Sequence, residues 1–210
     1  MNRRRLITSL VASAVVIAAV VVIVLLAVIP LPEFAALPDG KFTGSLTFVD
    51  EDNCVLVADL GKGTVTELRC EGENNYIEYL DWTEKGVEET TFQNRATTRV
   101  LDPVSGEVLE TNTGDESYLD PSPNEDPMDG LVTDQPESGV IVLLDSSGTE
   151  LLRLEAPERY YITSTAHQPD GNLIAIADSS GRLGVFEPGG SGPYLVADNV
   201  RPWPAPVWAP

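Results

Sequence analysis

The sequence predicts an all-β domain of repeated four-stranded units behind one N-terminal transmembrane α-helix. Three observations predict it: an uncharged run at the start, short alternating apolar runs through the rest, and a strand ending at an acidic turn that returns every 42 or 43 residues. Residues 6–29 contain no charged side chain, and 24 helical residues at 1.5 Å each cross a hydrocarbon core of ~30 Å. Their Val and Ile content does not oppose a helix, because in lipid every backbone N–H must be bonded within its own segment. Arg3, Arg4 and Arg5 precede the run and no acid occurs before Glu33, so residues 1–5 form a cytoplasmic basic N-terminus and the remainder is exported. The competing reading is a cleaved secretory signal, with a shorter apolar core and a small-x-small site for which Ala35 and Ala36 would serve. Both readings export the same domain. Pro30 and Pro32 suit a helix exit, so residues 30–37 are expected as a linker and 38–210 as the extracytoplasmic domain of a single-pass cell-membrane protein.

All 33 acidic residues lie beyond the run, against ten of the 13 Lys and Arg, which leaves the exported part at a formal charge of about −23. A field of that sign repels nucleic acid and anionic lipid surfaces and excludes them as partners. Solubility or a salty exterior accounts for it; the sharper readings are a basic partner or divalent cations.

The two cysteines of an exported domain invite a disulfide. Cys54 opens "CVLVADL" and Cys70 closes "TVTELRC", with "GKG" between. A three-residue loop would pair Leu60 with Thr64, and counting outward sets Cys54 opposite Cys70, within bridging range. The alternatives are a metal pair, disfavoured because no His or third Cys is near, or two free thiols.

The recurrence fixes the scaffold. "VLVADLGKGTVTEL" turns at Asp59, "TRVLDPVSGEVLE" at Asp102, "VIVLLDSSGTELLRL" at Asp145 and "LGVFEPGGSGPYLV" at Glu187. Ahead of these paired strands run "SLTFVD", "VEETTFQN", "LVTDQ" and "NLIAIAD", each behind a turn ending at Gly40, Gly86, Gly130 or Gly171. "NYIEYLDW" and "RYYITSTAH" are the candidate innermost strands. Four short strands per repeat of ~43 residues, without a long apolar 3.6-residue period, predict a small four-bladed β-propeller. The first repeat lacks an inner strand, while "RPWPAPVWAP" ends the chain with Trp208 41 residues after His167, at the inner-strand position of a further repeat. The C-terminal segment is therefore expected to supply the missing strand and close the ring, which removes an open edge. Pro202, Pro204 and Pro206 make that strand short or irregular. The rival account is the front of a larger propeller.

These turns and hairpins resemble the TolB-type and WD40-like β-propeller repeats, in which a Trp-Ser-Pro-Asp-Gly-like turn precedes the strands. The resemblance is best at "HQPDGNLIAIADSSGRLGVFEPGG" and "GSLTFVDEDNCVLVADLGKGTVTEL", degraded at "DWTEKGVEETTFQNRATTRVLDPVSG", and covers most of residues 38–210. It implies a propeller used for binding or scaffolding outside the cytoplasm.

Catalytic signatures are scarce. Nucleophilic catalysis by Ser or Cys commonly needs a nearby histidine. His167 is the sole histidine and occupies the position of Trp82 and Trp208 in their repeats, which favours a structural turn residue. No Gly-x-Ser-x-Gly elbow, phosphate loop or zinc spacing occurs. Residues 114–130 hold six carboxylates and no base, but their spacing matches no EF-hand and their Pro and Gly content reads as a solvated loop, so calcium is a weak expectation and no other cofactor is expected. Trp82, Tyr160, Tyr161, His167, Trp203 and Trp208 fall on or near inner strands, where aromatics either line a binding mouth or wedge blades together. The expected function is a non-catalytic module binding a protein, peptide or envelope component. The alternatives are a cation-dependent hydrolase and a structural subunit of a membrane complex.

Overall fold

The computed structural model describes residues 30–72, 75–92, 95–114, 128–169, 171–190 and 192–210. The transmembrane helix expected over 6–29 and most of the acidic segment 114–130 lie outside the described residues. No helix among the described residues is long and apolar enough to cross a membrane. The described chain is all-β, with sixteen strands in four sheets.

The first sheet comprises β2 (Ser45–Val49), β3 (Cys54–Asp59) and β4 (Thr64–Cys70), to which the C-terminal β16 (Val207–Trp208) adds on the β2 side. The second is a meander of β5 (Tyr76–Thr83), β6 (Gly86–Phe92), β7 (Ala96–Leu101) and β8 (Val108–Gly114). The third holds β9 (Val132–Glu137), β10 (Val140–Leu144) and β11 (Glu150–Glu155). The fourth runs β12 (Ile162–His167), β13 (Ile174–Asp178), β14 (Leu183–Phe186), β15 (Tyr194–Ala197), and β1 (Ala35–Ala36) pairs parallel outside β15. Consecutive strands antiparallel within each sheet, with the last strand returned to the first sheet, is propeller topology. Val207 pairs with Thr47 and Trp208 with Leu46, as the expectation of a returning tail requires.

Side-chain alternation on the strands explains the packing. On β13, "IAIAD", Ala175 and Ala177 face the first sheet, in a cluster with Leu46, Phe48, Ala58 and Trp208. Ile174 and Ile176, on the opposite face, meet Ile141, Leu143 and Leu154 of the third sheet. β3 divides likewise: Ala58 joins the first cluster, while Val55 and Val57 join Ile77, Leu80, Val87 and Leu101 of the second sheet. Each such Leu, Ile or Phe contributes ~1.5–3 kcal/mol by leaving water. The sheets thus stack second on first, first on fourth, fourth on third. Among the described residues no buried cluster joins the second sheet to the third, and β8 and β9, which bracket residues 115–127, are exposed.

The recurring acidic residues are turn formers. The Asp102 carboxylate Oδ1 accepts from the N–H groups of Val104 and Ser105 and from the Ser105 hydroxyl; Asp145 Oδ1 does the same with Ser147 and with the Thr149 N–H. Such side-chain acceptors satisfy backbone donors that the hairpin leaves unpaired.

Cys54 and Cys70 are directly opposed and joined, S–S 2.03 Å, which removes the metal-pair and free-thiol alternatives. The hairpin register differs from the expected one. Thr64 pairs with Asp59, not Leu60, because the buried Leu60 sends its N–H to the Gly44 carbonyl while Asp59 caps the turn through the Lys62 N–H. A register shift between Val55 and Leu56 then restores the opposition of the cysteines. The stretch 30–37, expected as a linker, contributes β1 and packs Phe34 and Leu37 against the core clusters.

Candidate functional site

The six aromatic and histidine positions separate into different roles. Trp82, the penultimate residue of β5, donates its Nε1–H to Thr47 Oγ1 at 2.9 Å; Trp208 ends β16 and donates to the Ala166 carbonyl at 3.0 Å. Each indole reaches from its own sheet into the next, and Trp208 is buried. Tyr160 is also buried, its hydroxyl donating to Asp178 Oδ2 at 3.1 Å. Burial and the adjacent Asp178 carboxylate push its phenol well above the usual range. These three hold sheets together; Tyr160 and Trp208 offer no open surface, and Trp82 is half-buried. Trp203 is half-buried in the returning tail, and Tyr161 is exposed beside the Ser179–Ser180 turn.

Of the six, His167 lines a sizeable cavity. Its backbone N–H donates to Asp129 Oδ2 and its Nδ1 lies 2.7 Å from the same oxygen, joining the end of β12 to the turn before the third sheet. Between the third and fourth sheets, at this end, lies a groove of about 640 Å³. Leu151, Leu173 and Ile174 give it an apolar lining, and Asp145 and Glu187 supply carboxylates beside His167. The Ser147 hydroxyl and the Thr149 and Ser147 N–H groups hold the Asp145 carboxyl below the usual carboxylate range. Glu187 faces Lys41 at 3.6 Å, and the Tyr194 hydroxyl and Glu187 raise that lysine above its ordinary value. The walls are β-sheet hairpins fixed by hydrogen bonds, so the groove is preformed. Its described lining contains no serine, threonine, cysteine or lysine that could act as a nucleophile beside His167.

Sequence reasoning selected His167 but missed its neighbours. Asp145 and Glu187 were repeat markers, and a usable signal was there: equivalent positions in consecutive blades fall at the same end of adjacent sheets. Leu151, Leu173 and Asp129 carried no such signal.

A second polar cluster is structural. Glu89 on β6 is fully buried; its Oε1 accepts from Arg99 Nη1 at 3.0 Å and lies 3.4 Å from Arg69 Nε. Glu71 Oε1 takes both guanidiniums at 2.8 Å. Glu89 Oε2 has no partner among the described residues, and burial raises its carboxyl above the ordinary glutamate value. The cluster ties the outer edge of the first sheet to the second. Cys54, Glu67 and Cys70 bring ligand-type atoms within 4.8 Å of one another, but both sulfurs are in the disulfide.

No protein-family model matches this chain, and no curated protein matches it. Among solved structures it is similar to a chain of the mitotic checkpoint complex (15% identity, 75% of this chain and 51% of that one, TM-score 0.29). It is also similar to BamB from Moraxella catarrhalis (13%, 80% and 53%, TM-score 0.26) and to the Dos1 propeller (15%, 81% and 47%, TM-score 0.28). The chain aligns with about half the length of each.

Proposed function

We propose that this chain is a single-pass membrane protein whose exported domain, a four-bladed β-propeller with its first sheet completed by β16, recognises a protein, peptide or envelope component and carries out no chemistry of its own. The observation that supports this reading best is the groove at His167: preformed, apolar at its base and acidic at its rim, with no serine, threonine, cysteine or lysine in its described lining. Recognition sites of this kind combine apolar burial with a few fixed polar groups and gain affinity because nothing must be ordered on binding. His167 serves by fixing the rim through Asp129. Confinement to a membrane by the 6–29 run would restrict the search for the partner to the bilayer surface.

The test is site-specific photo-crosslinking in native membranes. A benzophenone side chain replacing Asn172, in the groove lining, is expected to give discrete adducts, whereas one replacing the exposed turn residue Ser105 of the second sheet is not. The same pattern at both positions, or none at either, would reject the groove as the recognition surface.

A further inference from the structure

We propose that the domain does not hang from its anchor on a free tether: residues 32–37 strap it against the bilayer, placing the end of the fourth sheet that carries Tyr161 and Ser180 at the lipid headgroups and turning the His167 groove away from them. The proposal rests on the membrane-anchored reading above.

The strap is fixed at successive residues. The buried Pro32 offers its carbonyl to Arg182 Nη1 at 2.7 Å. The same guanidinium lies over the Phe34 ring, 4.4 Å from its centroid, and donates through Nε and Nη2 to the buried Asp178 at 2.8 and 2.6 Å. Phe34 packs over Gly184, where a Cβ would come within 2.6 Å of the ring, so a larger residue would push the ring aside. Ala35 and Ala36 then pair with Tyr194 and Leu195, the Ala35 N–H donating to the Pro193 carbonyl at 2.9 Å, and Leu37 enters the first core cluster. A solvated linker would make none of these contacts.

Chain length converts this docking into an orientation. Pro32 stands three residues beyond Ile29, where the expected span ends, and at up to ~3.6 Å per residue its carbonyl lies within about 11 Å of the hydrocarbon boundary. That is the depth of the headgroup region together with its first solvent layer. The surface beside Arg182 is therefore the surface nearest the membrane. It carries Tyr161, 57% exposed and held to the hairpin through its N–H and Ser179 Oγ, a side-chain type that favours the interface between water and lipid, and the apolar Leu31, 50% exposed. β12 runs from this end to His167, and five strand steps of ~3.3 Å set the groove about 17 Å farther out. The acidic domain repels anionic lipid, so the surface it fits is zwitterionic.

The test uses the full chain in phosphatidylcholine vesicles containing a headgroup spin-labelled lipid. The native cysteines are paired, so a single fluorophore can be placed by Ser180→Cys or by Asn172→Cys, at opposite ends of the fourth sheet. Quenching is expected to be several-fold stronger at 180 than at 172, and a flexible Gly-Ser insert between Leu31 and Pro32 is expected to remove the difference. Vesicle-bound chain with equal quenching at the two positions, or with the difference unaffected by the insert, overturns the strap while the anchor reading stands. Chain that does not float with the vesicles overturns the anchor reading and this proposal together.

Discussion

Trp208 tests whether the returning tail closes the first sheet. Its indole is 6% exposed, packs in the cluster of Leu46, Phe48, Leu173 and Ala175, and donates to the Ala166 carbonyl across to the fourth sheet. Trp208→Ala removes a core aromatic, a class of change that costs ~3–5 kcal/mol, and leaves Ala166 without its donor. The total stability of a domain is about 5–15 kcal/mol, so the loss would be a large share of it. Trp208→Phe keeps most of the packing and drops the indole donor, so it should cost about 1–2 kcal/mol. Urea unfolding of the full chain followed by far-UV circular dichroism reads the difference without depending on tryptophan emission. At an m-value of about 2–3 kcal/mol per molar, the Ala variant should move the midpoint down by roughly 1–2.5 M. Val104→Ala, at a turn position 81% exposed, is the control and should stay within ~0.5 kcal/mol of the parent. A Trp208→Ala cost under ~1 kcal/mol, no larger than ordinary surface substitutions give, would mean that the tail is not part of the core and that the sheets form an open arc.

Two further expectations follow from the first and second sheets. Replacing Cys54 and Cys70 with Ser opens a cross-link of sequence separation 16, expected to cost ~3 kcal/mol by the chain-entropy relation, and the parent in reductant should lose a comparable amount by urea unfolding. Burial raises the Glu89 carboxyl above its ordinary value of 4.5, so its contribution to stability is fully present below that value and is lost as pH rises through the higher folded value. Relative to Glu89→Gln, the parent should therefore become progressively less stable as pH is raised from about 4.5 towards neutrality. A parent that gains on the variant over that range would show that Arg99 and Arg69 outweigh the desolvation.

What the sequence determined by itself is what local chemistry controls. Asp102 and Asp145 cap their own turns within three or four residues, so the outer hairpins and their 43-residue recurrence were readable without any tertiary knowledge. The cysteine pairing was readable because both residues sit on one hairpin, although the Leu60 register was not: its N–H is claimed by Gly44, and no count along a single hairpin reveals a donor taken by the neighbouring strand. His167 was identified as a turn residue, but the groove around it was not, since Asp145, Leu151 and Leu173 come from separate hairpins of two sheets. The buried Glu89 was equally hidden, because "VEETTF" reads as an ordinary exposed alternation until Arg69 and Arg99 are brought to it. Tertiary structure also decided the fate of residues 30–37, which composition marks as a proline-containing linker. Arg182, Gly184 and Tyr194 bind that stretch from about 150 residues away, and an interaction between such distant segments exists only once the sheets have packed.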